Sequence, residues 1–256
     1  MKTEATRFLD LEVMVTNERT RVAVITGASR GLGAVVARVL AEYGYALAIG
    51  GRDAAALETI ARSVPQRVPA LTVTGDIADP AVRAHLIDTA RRLGGLDVLV
   101  NNASELGAIG PLATFDVPTF GRLFPVNVGA PMALTQLALP LLRARRGLIV
   151  NITSDAATAA YPGWGPYGAT KAALELLTRT LAVELHDDGV AAVLVDPGDM
   201  RTRMHQEAFP GQDISDRPLP EVTIAFWKWL FAQDTQAIRG QRFVAQQEDA
   251  RWLQPA

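Results

Sequence analysis

Two residues four apart could move a proton in this chain. They are Tyr167 and Lys171, in "GPYGATKAALELL" over residues 165–177. A phenol can hand a proton to a neighbouring oxygen, but its free pKa of about 10 is too high for easy exchange near neutrality. An ammonium one helical turn away favours the phenolate and moves that pKa toward working pH. The same residues could simply begin a helix. Gly165 and Pro166 turn the chain, and Ala172, Ala173, Leu174, Leu176 and Leu177 follow as good helix formers. The local stretch leaves both readings open.

A second group could hold phosphate. "VAVITGASRGLGAVVARVLAEYG" sets Gly27, Gly31 and Gly33 where an aliphatic strand stops and a helix starts. Glycine lets backbone approach a pyrophosphate, and the free N–H groups of a helix N-terminus attract its charge. The end of the next strand then selects the nucleotide. A site for NAD places a carboxylate there, about 20 residues past the glycines, to bind ribose hydroxyls. Here "AIGGRD" puts Gly51 at that position, with Arg52 after it and Arg30 able to converge from the glycine loop. Two guanidiniums suit a 2′-phosphate, so NADP(H) is favoured over NAD(H). Asp53 could instead cap the helix that follows.

These groups need a scaffold, and the rest of the chain describes one. The 256 residues are 49% hydrophobic with a net charge of −2 and no cysteine. That supports a large core, argues against binding nucleic acid or a membrane surface, and excludes disulfide and thiolate chemistry. No apolar run reaches the ~20 residues of a membrane span. Residues 1–20 are too short and acidic for a signal peptide and read as a loosely ordered extension, so a cytoplasmic location is expected. Strand candidates are "RVAVITG", "ALAIGG", "ALTVTGD", "LDVLVNNAS", "GLIVNITS", "VAAVLVDPG" and "QRFVAQ". Helix candidates span residues 32–43, 53–63, 80–93, 119–145, 167–187 and 221–233. Strict alternation predicts a single α/β domain over 21–256, a doubly wound Rossmann-like parallel sheet of about seven strands with helices on both faces. Residues 199–220, polar and proline-rich, read as an irregular loop.

Taken in order, these motifs resemble the short-chain dehydrogenase/reductase family from about Arg21 to Val244. "TGASRGLG" resembles its cofactor loop, which carries Gly27, Ser29, Arg30, Gly31, Leu32 and Gly33. "GDI" resembles its adenine-contacting segment, with Asp76 and Ile77. "NNAS" stands for its N-N-A-G motif, giving Asn102, Ala103 and Ser104. "NITS" ends on its serine, Ser154, thirteen residues before Tyr167. Asn127 falls on its helix asparagine, and "PGDMRT" resembles its nicotinamide segment through Pro197, Gly198, Met200 and Thr202.

The resemblance implies that Tyr167 donates its proton to a substrate carbonyl while a nicotinamide delivers hydride, so that the opening pair is chemical. It further implies that Ser154 holds the carbonyl, that Lys171 also holds the nicotinamide ribose, and that Asn127 anchors a water between Lys171 and solvent. The expected activity is NADPH-dependent reduction of a small-molecule carbonyl to a secondary alcohol. An NAD-linked alcohol dehydrogenase of the same fold and a non-catalytic nucleotide sensor are the alternatives.

Ser104 departs from the family's glycine, and Asp155 adds a carboxylate beside Ser154 that is either solvated or a recognition group. Substrate determinants are expected in 155–166 and 199–220, with Tyr161 and Trp164 as aromatic walls and Met204, Phe209 and Pro210 as an apolar lid. Trp227 and Trp229 could join them or belong to the core. Apolar helices over 119–145 and 167–187 predict a homodimer or homotetramer. His85 and His186 read as surface residues and His205 as a loop residue, with no pair at ligand spacing, so no metal is expected.

Overall fold

The computed structural model describes residues 19–247, so the extension expected over 1–20 lies almost wholly outside the described residues. Seven strands form one sheet: β1 (Val22–Thr26), β2 (Ala46–Gly51), β3 (Ala70–Thr74), β4 (Val98–Asn101), β5 (Leu148–Ile152), β6 (Ala191–Asp196) and β7 (Arg242–Val244). Their order is β3-β2-β1-β4-β5-β6-β7, and every neighbouring pair is parallel. The central strands are buried along their whole length, which is why they read as unbroken aliphatic runs.

Helices cover both faces. α1 (Gly31–Glu42), α2 (Ala54–Ser63) and α8 (Ile224–Ala232) pack one core, while α3 (Pro80–Leu93), α5 (Ala130–Arg145) and α6 (Gly165–Glu184) pack the other. Strand order reverses between β1 and β4, and such a reversal leaves a crevice at the carboxyl ends of the strands. Trp227 is fully buried, stacks on Phe231 and donates its indole N–H to Thr223 Oγ1 at 3.0 Å, so it belongs to the core.

Three expectations change. The continuous helix over 119–145 is instead α4 (Val117–Gly121), a turn, a π-helical segment over Pro125–Gly129, and then α5. The prolines account for the break. Pro131 has no N–H to return to the Asn127 carbonyl, and Ala130 N–H bonds back to Pro125 O in the wider turn. Val117–Arg145 as a whole is long and apolar enough to cross a membrane, against the expectation from single runs. Its Leu134, Ala138 and Leu142 nevertheless pack fully buried against the sheet. Finally, residues 199–220 are not wholly irregular, because α7 (Arg203–Ala208) forms there, with Thr202 Oγ1 accepting from His205 N–H at 3.2 Å.

Candidate active site

A cleft of about 850 Å³ runs along the carboxyl ends of the strands, from Arg52 and Asp76 at one end to Tyr167 and Lys171 at the other. Its floor is the glycine loop. Gly27 and Gly31 hold φ of +65° and +55°, a left-handed conformation that side chains oppose. A Cβ on Gly33 would lie 2.3 Å from Gly27 O, so only glycine lets α1 pack this close to β1. The loop is tied to the segment after β4. Asn102 Nδ2 donates to Thr26 O (2.9 Å) and Gly27 O (3.1 Å), and Thr26 Oγ1 accepts from the Asn102 and Ala103 N–H groups, both at 3.0 Å. Among the described residues no side chain caps the first turn of α1. Its N–H groups remain free for an anion, and a pyrophosphate fits them.

At the outer end the two arginines are present but engaged. Arg52 pairs with Glu105 at 2.7 Å and Arg30 with Asp53 at 3.0 Å. Asp53 also caps α2, accepting from Ala56 N–H at 3.0 Å. Asp76 spends one carboxylate oxygen on Ala78 N–H at 2.8 Å and still borders the cleft beside Ile77.

At the inner end Tyr167 is buried in the first turn of α6, and its hydroxyl meets those of Ser154 and Ser104. Lys171 follows one turn later, its Nζ 5.6 Å from the Tyr167 ring centre and donating to Ile152 O at 2.8 Å. Ser154 donates to Asp155 Oδ1 at 3.0 Å, and Ser104 donates to Asn127 Oδ1 at 3.1 Å. Each serine has one proton, so while these bonds hold both offer the phenol an acceptor; turned toward Tyr167, the same O–H groups stabilise a phenolate. Burial pushes the Tyr167 phenol above its ordinary range, the two serines oppose this, and Asp196 and Asp155 reinforce it. The sequence reading expected Lys171, together with the positive charge of a bound oxidised nicotinamide, to lower that pKa. In the cofactor-free protein desolvation wins, and burial also pushes Lys171 itself down to about 8 against the opposing charge of Asp196.

Asn127 is buried, and its side chain is fully spent. Oδ1 accepts from Glu105 N–H at 2.8 Å as well as from Ser104, while Nδ2 donates to Glu105 O (2.8 Å) and Thr170 Oγ1 (3.0 Å).

Of the residues singled out from sequence, Gly27, Ser29, Arg30, Gly31, Leu32, Arg52, Asp76, Ile77, Asn102, Ala103, Ser104, Tyr167, Lys171, Pro197, Met200 and Thr202 border the cleft. Gly33 and Asn127 are buried beside it, and Ser154 and Gly198 are half-buried at its margin. Trp164, Met204 and Phe209 pack with Leu106, Ala156 and Ala208 around Tyr167. His205 is buried in α7 rather than exposed in a loop, 4.9 Å from the Phe209 ring and 3.8 Å from Asp199. Among the described residues no group of His, Asp and Glu is placed to hold a metal ion.

Sequence reasoning missed the charged support behind Ser154. Arg242 on β7 binds Glu175 (2.8 Å), Asp196 (3.0 Å) and Ser154 O (3.2 Å), and Glu175 also accepts from Thr153 Oγ1 at 2.9 Å. A signal existed: Glu175 follows Tyr167 and Lys171 at the same four-residue interval, a carboxylate on the buried face of an apolar helix. Ser104 as a neighbour of the phenol had no such signal, since it depends on how the β4 loop meets α6.

The profile of one family, described as short chain dehydrogenase, matches residues 21–213. An L-fucose dehydrogenase from Oryctolagus cuniculus is 35% identical over 189 residues, which cover 73% of this chain and 65% of that protein. A solved short chain dehydrogenase from Pseudomonas syringae superposes with a TM-score of 0.83 at 32% identity, covering 88% of this chain and 94% of its own. Another, from Shigella flexneri and complexed with NADP, gives 0.81 at 27% identity, covering 89% and 97%.

Proposed function

We propose a specific reaction for this chain, which belongs to the short-chain dehydrogenase family: NADPH-dependent reduction of a small-molecule carbonyl to a secondary alcohol, with Tyr167 as proton donor. The observation that carries the reading is the buried phenol itself. Its pKa is raised by burial, so it keeps its proton at neutral pH. A neutral, oriented phenol is the state from which a carbonyl oxygen can take a proton.

The nicotinamide, when bound, supplies the hydride. The glycine loop and the α1 N-terminus would hold its pyrophosphate, Asp76 and Ile77 the adenine, and Arg30 and Arg52 the 2′-phosphate. Asn102, Ala103, Pro197, Gly198, Met200 and Thr202 would shape the nicotinamide end, and Lys171 would hold the ribose hydroxyls. Ser154 would hold the reacting oxygen against Tyr167. The water proposed at Asn127 would bond its backbone carbonyl, which Pro131 deprives of the regular helical donor, because the side chain has no capacity left.

The test is a panel of carbonyl compounds assayed with NADPH and NADH, read as loss of reduced-cofactor absorbance. Turnover with NADPH is expected, and equal use of both cofactors would overturn the nucleotide assignment. Assembly through α5 and α6 is part of the proposal, since Leu137, Leu176 and Val183 stand 44%, 65% and 77% exposed on them. Sedimentation at micromolar concentration should give a dimer or tetramer. A species of only 27.4 kDa, the mass of one chain, would contradict it.

A further inference from the structure

Ser154 meets its substrate with its only proton already committed. That proton goes to Asp155 Oδ1 at 3.0 Å, while Ser154 Oγ accepts from Ala156 N–H at 3.2 Å. The second oxygen of Asp155 accepts from the Tyr161 hydroxyl at 2.6 Å. A carboxylate offers no donor, so the direction of both bonds is fixed by chemistry. A carbonyl oxygen offers none either. A plain ketone could therefore take a proton from Tyr167, but a bond from Ser154 requires that hydroxyl to leave the exposed carboxylate of Asp155, which then needs another donor.

We propose that Asp155, steadied by Tyr161, is a recognition subsite for a hydrogen-bond donor on the carbon next to the reacting one. The substrates it selects are α-hydroxy or α-amino carbonyl compounds and the corresponding vicinal diols or amino alcohols. This rests on the carbonyl–alcohol chemistry proposed above. The neighbouring donor replaces Ser154 on the carboxylate, and the freed Ser154 O–H turns to the reacting oxygen, so one exchange satisfies both groups.

The spacing suits it. Vicinal oxygens lie about as far apart as hydrogen-bonded ones, ~2.8 Å, which is close to the 3.0 Å between Ser154 Oγ and Asp155. A reacting oxygen held by Ser154 and Tyr167 therefore brings its neighbour to the carboxylate. The surrounding wall is aromatic, with Tyr161 6.4 Å from Trp164 and Trp164 6.0 Å from Tyr167, ring centre to centre. Asp199 is not an equivalent candidate, because its oxygens face His205 at 3.8 Å and Arg217 at 3.7 Å.

The experiment compares four ketones of one skeleton: butanone, acetoin, the methyl ether of acetoin, and its amino analogue. Each is reduced by the unmodified protein and by Asp155→Ala. A charge-assisted hydrogen bond predicts kcat/KM for acetoin or the amine about 10-fold or more above butanone and the ether. Whichever of the two leads identifies the donor as hydroxyl or ammonium. In Asp155→Ala the acetoin value should fall while the butanone value rises, because Ser154 is then free to donate. Damage to the fold would lower both together. Equal values for acetoin and its ether, or an unchanged ratio in Asp155→Ala, would overturn the subsite.

Calorimetry separates this from the reading beneath it. The vicinal butanediol should bind the protein loaded with oxidised cofactor more tightly than sec-butanol does. A diol preference without any turnover would sink the catalytic reading and keep the subsite. Turnover without the preference would do the reverse.

Discussion

The two ends of the cleft are built from different material. The glycine-loop end is made largely of backbone: strand ends, left-handed glycines, free helix N–H groups, and one amide and one hydroxyl side chain, Asn102 and Thr26, stitching β1 to β4. The substrate end is made of side chains drawn from distant parts of the chain, with Asp155 and Tyr161 after β5, Trp164 just before α6 and Tyr167 on it, and Met204 and Phe209 around α7. A backbone site tolerates almost no change at its contacts, as the 2.3 Å approach to a Cβ on Gly33 illustrates. A side-chain site can be rebuilt residue by residue without disturbing the sheet. The fold thus fixes what the cleft can hold at one end and leaves open what it can select at the other.

The sharpest way to separate the ends is Tyr167→Phe. It removes one hydroxyl and leaves the ring packed against Trp164, so folding and NADPH affinity should hardly change. Turnover should fall ~10²–10⁴-fold, the usual contribution of a positioned general acid. Stopped-flow rates alongside fluorescence titration with NADPH make the check. Near-normal turnover would mean that the tyrosine merely starts α6.

Lys171 lies at the seam and gives the next largest effect. Its pKa falls from an ordinary 10.5 to about 8 on folding, chiefly through burial. Between those values the unfolded chain holds a proton that the folded chain has released, so stability must rise with pH across the window and stay at its lower level below about 8. The full change is about 3 kcal/mol for a shift of this size. Urea midpoints of the cofactor-free protein and of Lys171→Met should therefore converge as pH rises from 8 to 10.5. A constant gap would mean that the ammonium is not desolvated.

The contrast between the ends also explains what could be read in advance. Sheet, helices and glycine loop were legible because burial on both faces forces unbroken aliphatic strands and close backbone approach forces glycine. Both demands leave marks within a few residues. The fracture of the 119–145 helix was half legible: Pro125 and Pro131 were visible, but nothing in sequence told a kink from a π-turn. The order of hydroxyls at Tyr167 was not legible at all. Ser104 and Asp155 reach it through turns whose geometry depends on contacts with Asn127 and Tyr161, far along the chain. The same holds for the direction of the Tyr167 pKa shift, where sequence names the neighbouring lysine but not the depth of burial.

The smallest effect is expected farthest from the chemistry, where Arg52 meets Glu105 at 2.7 Å. Arg52 is the proposed 2′-phosphate ligand, yet its side chain is 69% exposed and already balanced by a carboxylate. An entering phosphate must displace that carboxylate or share the arginine with it, so its gain is the difference between two charge-assisted bonds. Arg52→Ala should then weaken NADPH by about 1.5 kcal/mol, the low end for such a contact, and leave NADH unaffected. Glu105→Gln should act in the opposite sense and tighten NADPH, because it removes the competitor while the Glu105 backbone stays pinned by Asn127. Neither change reaches Tyr167, so kcat at saturating NADPH should be unaltered in both. Calorimetric titration of both cofactors into the three proteins decides it. If Glu105→Gln weakened NADPH instead, the carboxylate would be organising Arg52 for the phosphate rather than competing with it, and the outer end of the cleft would be as preassembled as the glycine loop.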